Sequence, residues 1–105
     1  MHAEIVSTGT ELLLGEIVDT NAAYIARRLR TIGLNLFYKT TVGDNIERMA
    51  SALKVALSRS DVIITTGGLG PTVGDVTREA VARVTGRELV LDEQLLASIE
   101  RHYQR

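Results

Sequence analysis

Val62-Ile63-Ile64-Thr65-Thr66-Gly67-Gly68-Leu69-Gly70-Pro71-Thr72 is the stretch on which the reading of the fold turns. Consecutive apolar residues are what a parallel strand shows when helices cover both of its faces, so Val62 to Ile64 are expected to be the central strand of a sheet. The chain then leaves through a glycine-rich turn. Glycine reaches positive φ and lets backbone N–H groups approach a ligand closely, and a helix start beyond such a turn favours negative charge. The turn therefore reads as a cradle for a phosphate-bearing ligand. Shape alone requires glycine in many turns, so a purely structural turn stays open as the other reading.

Upstream, strand-like and helix-like periods alternate without internal repeats or low-complexity tracts. Ala3 to Thr8 is expected as a first strand, followed by Gly9 and a short helical turn over Glu11 to Leu14. With Asp19 or Thr20 as N-cap, Ala22, Ile25, Ala26, Leu29 and Ile32 recur at helical spacing, and Gly33 is placed to stop the helix. Leu34 to Val42 has the β propensity of a second strand. Asp44 and Glu47 stand at capping-box spacing ahead of a stripe of Ile46, Met49, Ala50, Leu53 and Leu57. Downstream, Val76, Ala80, Val81 and Val84 suggest a helix ended by Gly86. Leu89 to Leu91 suggests a brief extended piece, and Asp92 suggests the cap of a last helix carrying Leu95, Leu96, Ile99 and Tyr103.

The order strand, helix, strand implies an α/β fold with a mostly parallel central sheet and helices on both faces. Loops leaving the C-terminal ends of parallel strands gather on one edge, where such folds bind ligands. Three loops should meet there: Gly9 to Glu11, Gly43 to Asp44, and Gly67 to Asp75. Glu11, Asp44 and Asp75 would then place carboxylates beside the cradle, and oxygen donors of this kind suit Mg²⁺ bridged to substrate phosphates. A capping role for Asp44 competes with that reading.

Composition narrows the classes. The 105 residues are 45% apolar with a formal net charge of −1 and no cysteine. That supports one modest core and a single domain over residues 1–105. Scattered Lys and Arg give no footprint for nucleic acid and no membrane patch, and absent cysteines exclude disulfides and thiolate metal sites. The cytoplasm is the expected location. Neither the P-loop spacing nor the third glycine of the dinucleotide fingerprint occurs. His2 and His102 read as solvated residues, and Arg27, Arg28 and Arg30 as a solvated helix face.

Four collinear motifs give the chain a family resemblance: Thr8-Gly9-Thr10-Glu11-Leu12-Leu13-Leu14-Gly15, Asp19-Thr20-Asn21-Ala22, Val42-Gly43-Asp44-Asn45 and Thr66-Gly67-Gly68-Leu69-Gly70-Pro71-Thr72. They resemble the amino-terminal domain of the CinA competence/damage-inducible family, which shares the molybdopterin-binding fold of MogA and MoaB. The resemblance implies a three-layer α/β/α domain, commonly a homo-oligomer, that takes a small-molecule nucleotide or pterin. From several members it implies a pyrophosphatase that hydrolyses ADP-ribose or a similar nucleoside diphosphate compound with a divalent cation (Mg²⁺, Mn²⁺ or Co²⁺) and no organic cofactor. The alternatives it leaves are a non-catalytic molybdopterin- or nucleotide-binding module and a molybdopterin adenylyltransferase. Carried over by position, Gly67, Gly68, Gly70 and Thr72 would bind substrate, with Glu11 and Asn21 at the rim. Asp75 and Asp44 would be catalytic and hold the metal. One of two adjacent acids usual in the family is replaced by Gly74 here, which lowers the charge available to a cation. The resemblance also implies that the family domain extends beyond Arg105.

Overall fold

The computed structural model describes residues 1–70, 75–89 and 93–103. In chain order the elements are β1 (His2–Thr8), α1 (Thr10–Leu13), α2 (Thr20–Thr31), β2 (Asn35–Val42), α3 (Ile46–Arg59), β3 (Val62–Thr66), α4 (Thr77–Thr85) and α5 (Glu93–Tyr103). The strands are parallel, with the order β2-β1-β3. In register, Thr8 lies beside Val42 and Ser7 beside Thr66, so all three strands end at the same edge.

Side chains along a strand alternate between its faces, and β1 shows how this sorts the core. Ala3 and Ile5 pack with Ala22 and Leu29 of α2, joined by Ile25, Val62 and Ile64. Val6 faces the other way, into a cluster of Met49, Leu53, Ala56, Val76 and Ala80 that Ile63 joins. The result is the three-layer α/β/α arrangement, α2 on one face and α3 with α4 on the other.

Among the described strands the central position belongs to β1, which corrects the expectation for Val62 to Ile64. From Ala3 to Thr8 every residue of β1 is buried, whereas all five residues of β3 are half-buried. An apolar run reports coverage of both faces and says nothing about neighbours along the hydrogen-bonding direction. Among the described residues, β3 pairs on one side only, with β1.

Helix ends follow local chemistry with one shift. Asp19 caps α2 by accepting from the Ala22 N–H at 3.0 Å. Gly33 takes φ +79° beyond its C-terminus. Ile32, expected on the apolar stripe, is 68% exposed because it is the C-cap, where the helical path ends. For α3 the cap is Asn45, whose Oδ1 accepts from the Arg48 N–H at 2.9 Å. Asp44 is therefore not the cap, and the expected Asp44–Glu47 capping box does not form; Glu47 pairs instead with Arg83 of α4. Leu57, expected on the buried stripe of α3, is exposed, and Ala56 is buried in its stead. Gly86 ends α4 at φ +68°, as its position implied. Asp92, Val90 and Leu91 lie outside the described residues, as do the side chains of Leu95, Leu96, Ile99, His102 and Tyr103.

At the N-terminal end of the sheet a carboxylate is buried. Glu4, 1% exposed, accepts from Arg59 Nε at 3.0 Å, Arg59 Nη2 at 2.7 Å and Ser60 Oγ at 2.8 Å. The Arg59 guanidinium also lies 3.5 Å from the centre of the Tyr38 ring. The paired Arg59 N–H donors hold the Glu4 carboxyl below its ordinary value; burial opposes this, and Ser60 adds to it. Charge-assisted, two-pronged bonds of this kind fix geometry as well as energy, here joining the end of α3 to the central strand.

Candidate functional site

The three loops expected to converge do so, at the edge where β1, β2 and β3 end. Gly9 donates its N–H to the Val42 carbonyl at 3.0 Å, joining the loops after β1 and β2. Thr10 and Asp44 lock the same two loops reciprocally. The Thr10 hydroxyl donates to Asp44 Oδ2 at 3.0 Å, the Thr10 N–H donates to the same oxygen at 3.4 Å, and the Asp44 N–H donates to Thr10 Oγ1 at 3.2 Å. Asp44 thus stands at the site edge with its carboxylate engaged in holding a loop.

The glycine turn is fastened on two sides. Gly67 and Gly68 both adopt positive φ, +83° and +67°, which an L side chain enters only with strain. A Cβ on Gly67 would collide with the Thr8 carbonyl oxygen at the end of β1, and one on Gly68 would collide with Thr77 Oγ1. Thr77, the first residue of α4, donates its hydroxyl to the Gly67 carbonyl at 2.8 Å and its N–H to the Gly68 carbonyl at 3.1 Å. The turn is thereby clamped between the central strand and a helix N-terminus. Thr66 adds a link across the strands, its hydroxyl donating to Ser7 Oγ at 3.1 Å.

Acidic groups approach the loops separately. Asp75 is half-buried, with Oδ2 only 2.7 Å from where a side chain on Gly70 would begin, so Gly70 leaves room for this carboxylate. Glu11 is exposed and curls back to place Oε1 2.8 Å from the Cβ position of Gly9. Asn21 is exposed in the first turn of α2, whose capping is done by Asp19. Thr72 and Gly74 lie outside the described residues. Among the described residues no three His, Cys, Asp or Glu side chains gather as a metal ligand set. The expected meeting of Glu11, Asp44 and Asp75 around one cation is therefore not seen. Asp44 is bonded to Thr10 of the loop after β1, Glu11 bends over Gly9, and Asp75 lies beside Gly70.

Thr10 and Thr77 are the residues that sequence reasoning left without a task. A threonine directly after the first strand's glycine, and another two residues beyond Asp75, were the available signals; neither says that the hydroxyl reaches a loop 34 or 10 residues away. A cleft of about 650 Å³ opens beside the turn, lined by Thr65, Leu69, Thr77, Arg78, Val81 and Leu89 among others, within the size range of small-ligand sites. His2 is exposed and rests against the Phe37 ring at 4.3 Å, in keeping with its expected role. Among the described residues no helix is long and apolar enough to cross a membrane.

Parallel strands with helices on both faces and a glycine turn at their C-terminal edge define an α/β/α domain of the ligand-edge type. The chain belongs to the family described as "probable molybdopterin binding domain", whose model matches residues 4–105. Within it the resemblance is to CinA-type proteins. Proteins named competence-damage inducible from Caldicellulosiruptor bescii and Symbiobacterium thermophilum are 54% and 56% identical to it, over 100% and 95% of this chain. The chain spans about a quarter of the length of these relatives, 26% and 24%. The crystal structure of CinA from Thermoplasma acidophilum, a protein whose function is unknown, superposes with a TM-score of 0.92 at 38% identity. The match covers 99% of this chain and 62% of that one. The molybdopterin biosynthesis enzyme MoaB of Thermus thermophilus has the same fold, with a TM-score of 0.74 at 26% identity over 84% of this chain and 57% of its own.

Proposed function

We propose that this chain is a binding module for a small phosphate-bearing pterin or nucleotide, held at the glycine turn. The observation that carries this reading is the turn itself, two glycines at positive φ seated between the end of β1 and the start of α4 with their carbonyls tied to Thr77. Such a turn offers successive main-chain donors to an anion. Membership of a molybdopterin-binding family and the fold shared with MoaB support the ligand class. Glu11 and Asn21 belong to the proposed rim of the site, and Gly67, Gly68 and Gly70 to its centre; Thr72, outside the described residues, is assigned from the family motif alone.

The described residues do not fit a cation held by the protein alone, since no three His, Cys, Asp or Glu side chains gather among them and Asp44 Oδ2 already accepts from Thr10. The carboxylates thus give no support to a hydrolytic step through a protein-held metal. Calorimetric titration with ADP, ADP-ribose and a pterin phosphate tests the binding reading, with AMP resolved chromatographically in parallel with and without Mg²⁺. Saturable uptake without AMP release supports a module. Mg²⁺-dependent AMP release from ADP-ribose that is lost in Asp75→Ala would replace it with the pyrophosphatase reading, and no uptake of any of the three ligands would remove it.

A further inference from the structure

Thr77 is 2% exposed, and both of its hydrogen-bonding groups at the turn are committed to carbonyls. We infer that Thr77 is the positioning residue of the cradle: its hydroxyl and N–H turn the Gly67–Gly68 and Gly68–Leu69 peptides so that their N–H groups face a phosphate. This inference rests on the binding site proposed above.

The reason is geometric. A trans peptide is planar, with its C=O and N–H pointing in opposite directions, and the described peptides are all trans. With the Gly67 carbonyl drawn onto the Thr77 hydroxyl, the Gly68 N–H is turned away from α4. With the Gly68 carbonyl drawn onto the Thr77 N–H, the Leu69 N–H is turned the same way. Two successive donors are thus presented together, at a turn where Gly67 and Leu69 are exposed. The second bond also satisfies one of the N–H groups that a helix start leaves without an intrahelical partner. Crowding completes the device, because Thr77 Oγ1 occupies the space a side chain at Gly68 would need. A hydroxyl at this position both excludes a Cβ and fixes the peptide planes.

Thr77→Val preserves shape and removes the donor, whereas Thr77→Ser keeps the donor and removes a methyl group. Binding of inorganic pyrophosphate and ADP would be measured by calorimetry for the wild type and both variants, with ¹⁵N-resolved amide spectra of each. The expected result is that Thr77→Val binds about tenfold more weakly and Thr77→Ser within about threefold, the scale of one hydrogen bond's net worth. The Gly68 and Leu69 amide resonances should move in Thr77→Val and stay near their wild-type positions in Thr77→Ser, a response that mere loss of stability does not produce. If Thr77→Val fails to fold, wild-type spectra decide: pyrophosphate must perturb the Gly68 and Leu69 amides most. Wild-type affinity in folded Thr77→Val, or binding that leaves those amides unmoved, overturns the role of Thr77 while leaving the module in place. Absence of wild-type binding to either probe overturns the module, and the role of Thr77 with it.

Discussion

Replacing Gly67 with alanine separates two effects that a glycine can supply, and Gly33 provides the reference. Both residues sit at nearly the same backbone angle, φ +83° and +79°. Around Gly33 nothing lies within 4 Å of a new Cβ, while at Gly67 the Cβ would overlap the Thr8 carbonyl oxygen. Placing an L-residue in the left-handed region costs roughly 1–2 kcal/mol. The narrower unfolded ensemble of alanine offsets about 0.4–1 kcal/mol of that. Gly33→Ala should therefore lose on the order of 1 kcal/mol. Gly67→Ala adds an overlap that a flexible side chain cannot relieve, because the struck atom is backbone at the end of the central strand, paired with β2 at Thr8. Overpacking of this kind costs typically about 1–3 kcal/mol more. Urea unfolding followed by circular dichroism would measure both variants, and at about 4–8 °C per kcal/mol for a domain of this size the thermal midpoints should separate as well. Equal losses in the two variants would show that the turn does not press on β1 and would refute the clamped geometry.

Other parts of the molecule make their own demands. Glu4, with its carboxyl lowered by Arg59, contributes stability that is complete above its ordinary value of 4.5 and is lost as pH falls through the lower folded value, since protonation releases the Arg59 bonds. Glu4→Gln should flatten that acid limb in denaturation profiles collected between neutral and acid pH; an unchanged limb would show that the pair does not govern it. The Asp44–Thr10 lock predicts coupling in a double-mutant cycle of Asp44→Ala and Thr10→Val, about 0.5–1.5 kcal/mol, and strict additivity would dissolve it. Asn45→Ala should cost about 1 kcal/mol as the loss of the α3 cap, whereas Asp44→Asn, which keeps an acceptor for Thr10, should cost less; the reverse order would restore Asp44 as the cap.

Much of this architecture was legible locally. Helical spacing located the buried Ala22, Leu29, Met49 and Leu53, and glycine at 33 and 86 marked two helix ends, because period and capping depend on neighbours in sequence. The gathering of three loops also followed from the order of elements alone. What escaped depends on partners far along the chain. Strand order placed β1 at the centre, and no property of Val62 to Ile64 encodes which strand lies beside it. Asp44 and Asn45 are both competent caps; Asn45 takes the role, and Asp44 is bonded instead to Thr10, 34 residues away. Glu4 sits in an apolar strand with nothing nearby to announce Arg59, 55 residues on. The same limit applied to the site. Among the described residues no three carboxylates gather as a ligand set, and Thr10, which bonds Asp44, and Thr77, which bonds the glycine turn, carried no charge or rarity to attract notice.

A crystal structure of the chain with ADP tests most directly whether a phosphate group docks on the main-chain donors of the turn leaving β3. The terminal phosphate should lie within hydrogen-bonding distance of the Gly68 and Leu69 nitrogens, with the Thr77 bonds to Gly67 and Gly68 intact. Phosphates seated instead on Arg27, Arg28 and Arg30 of α2, or a nucleotide that leaves the turn untouched, would contradict it.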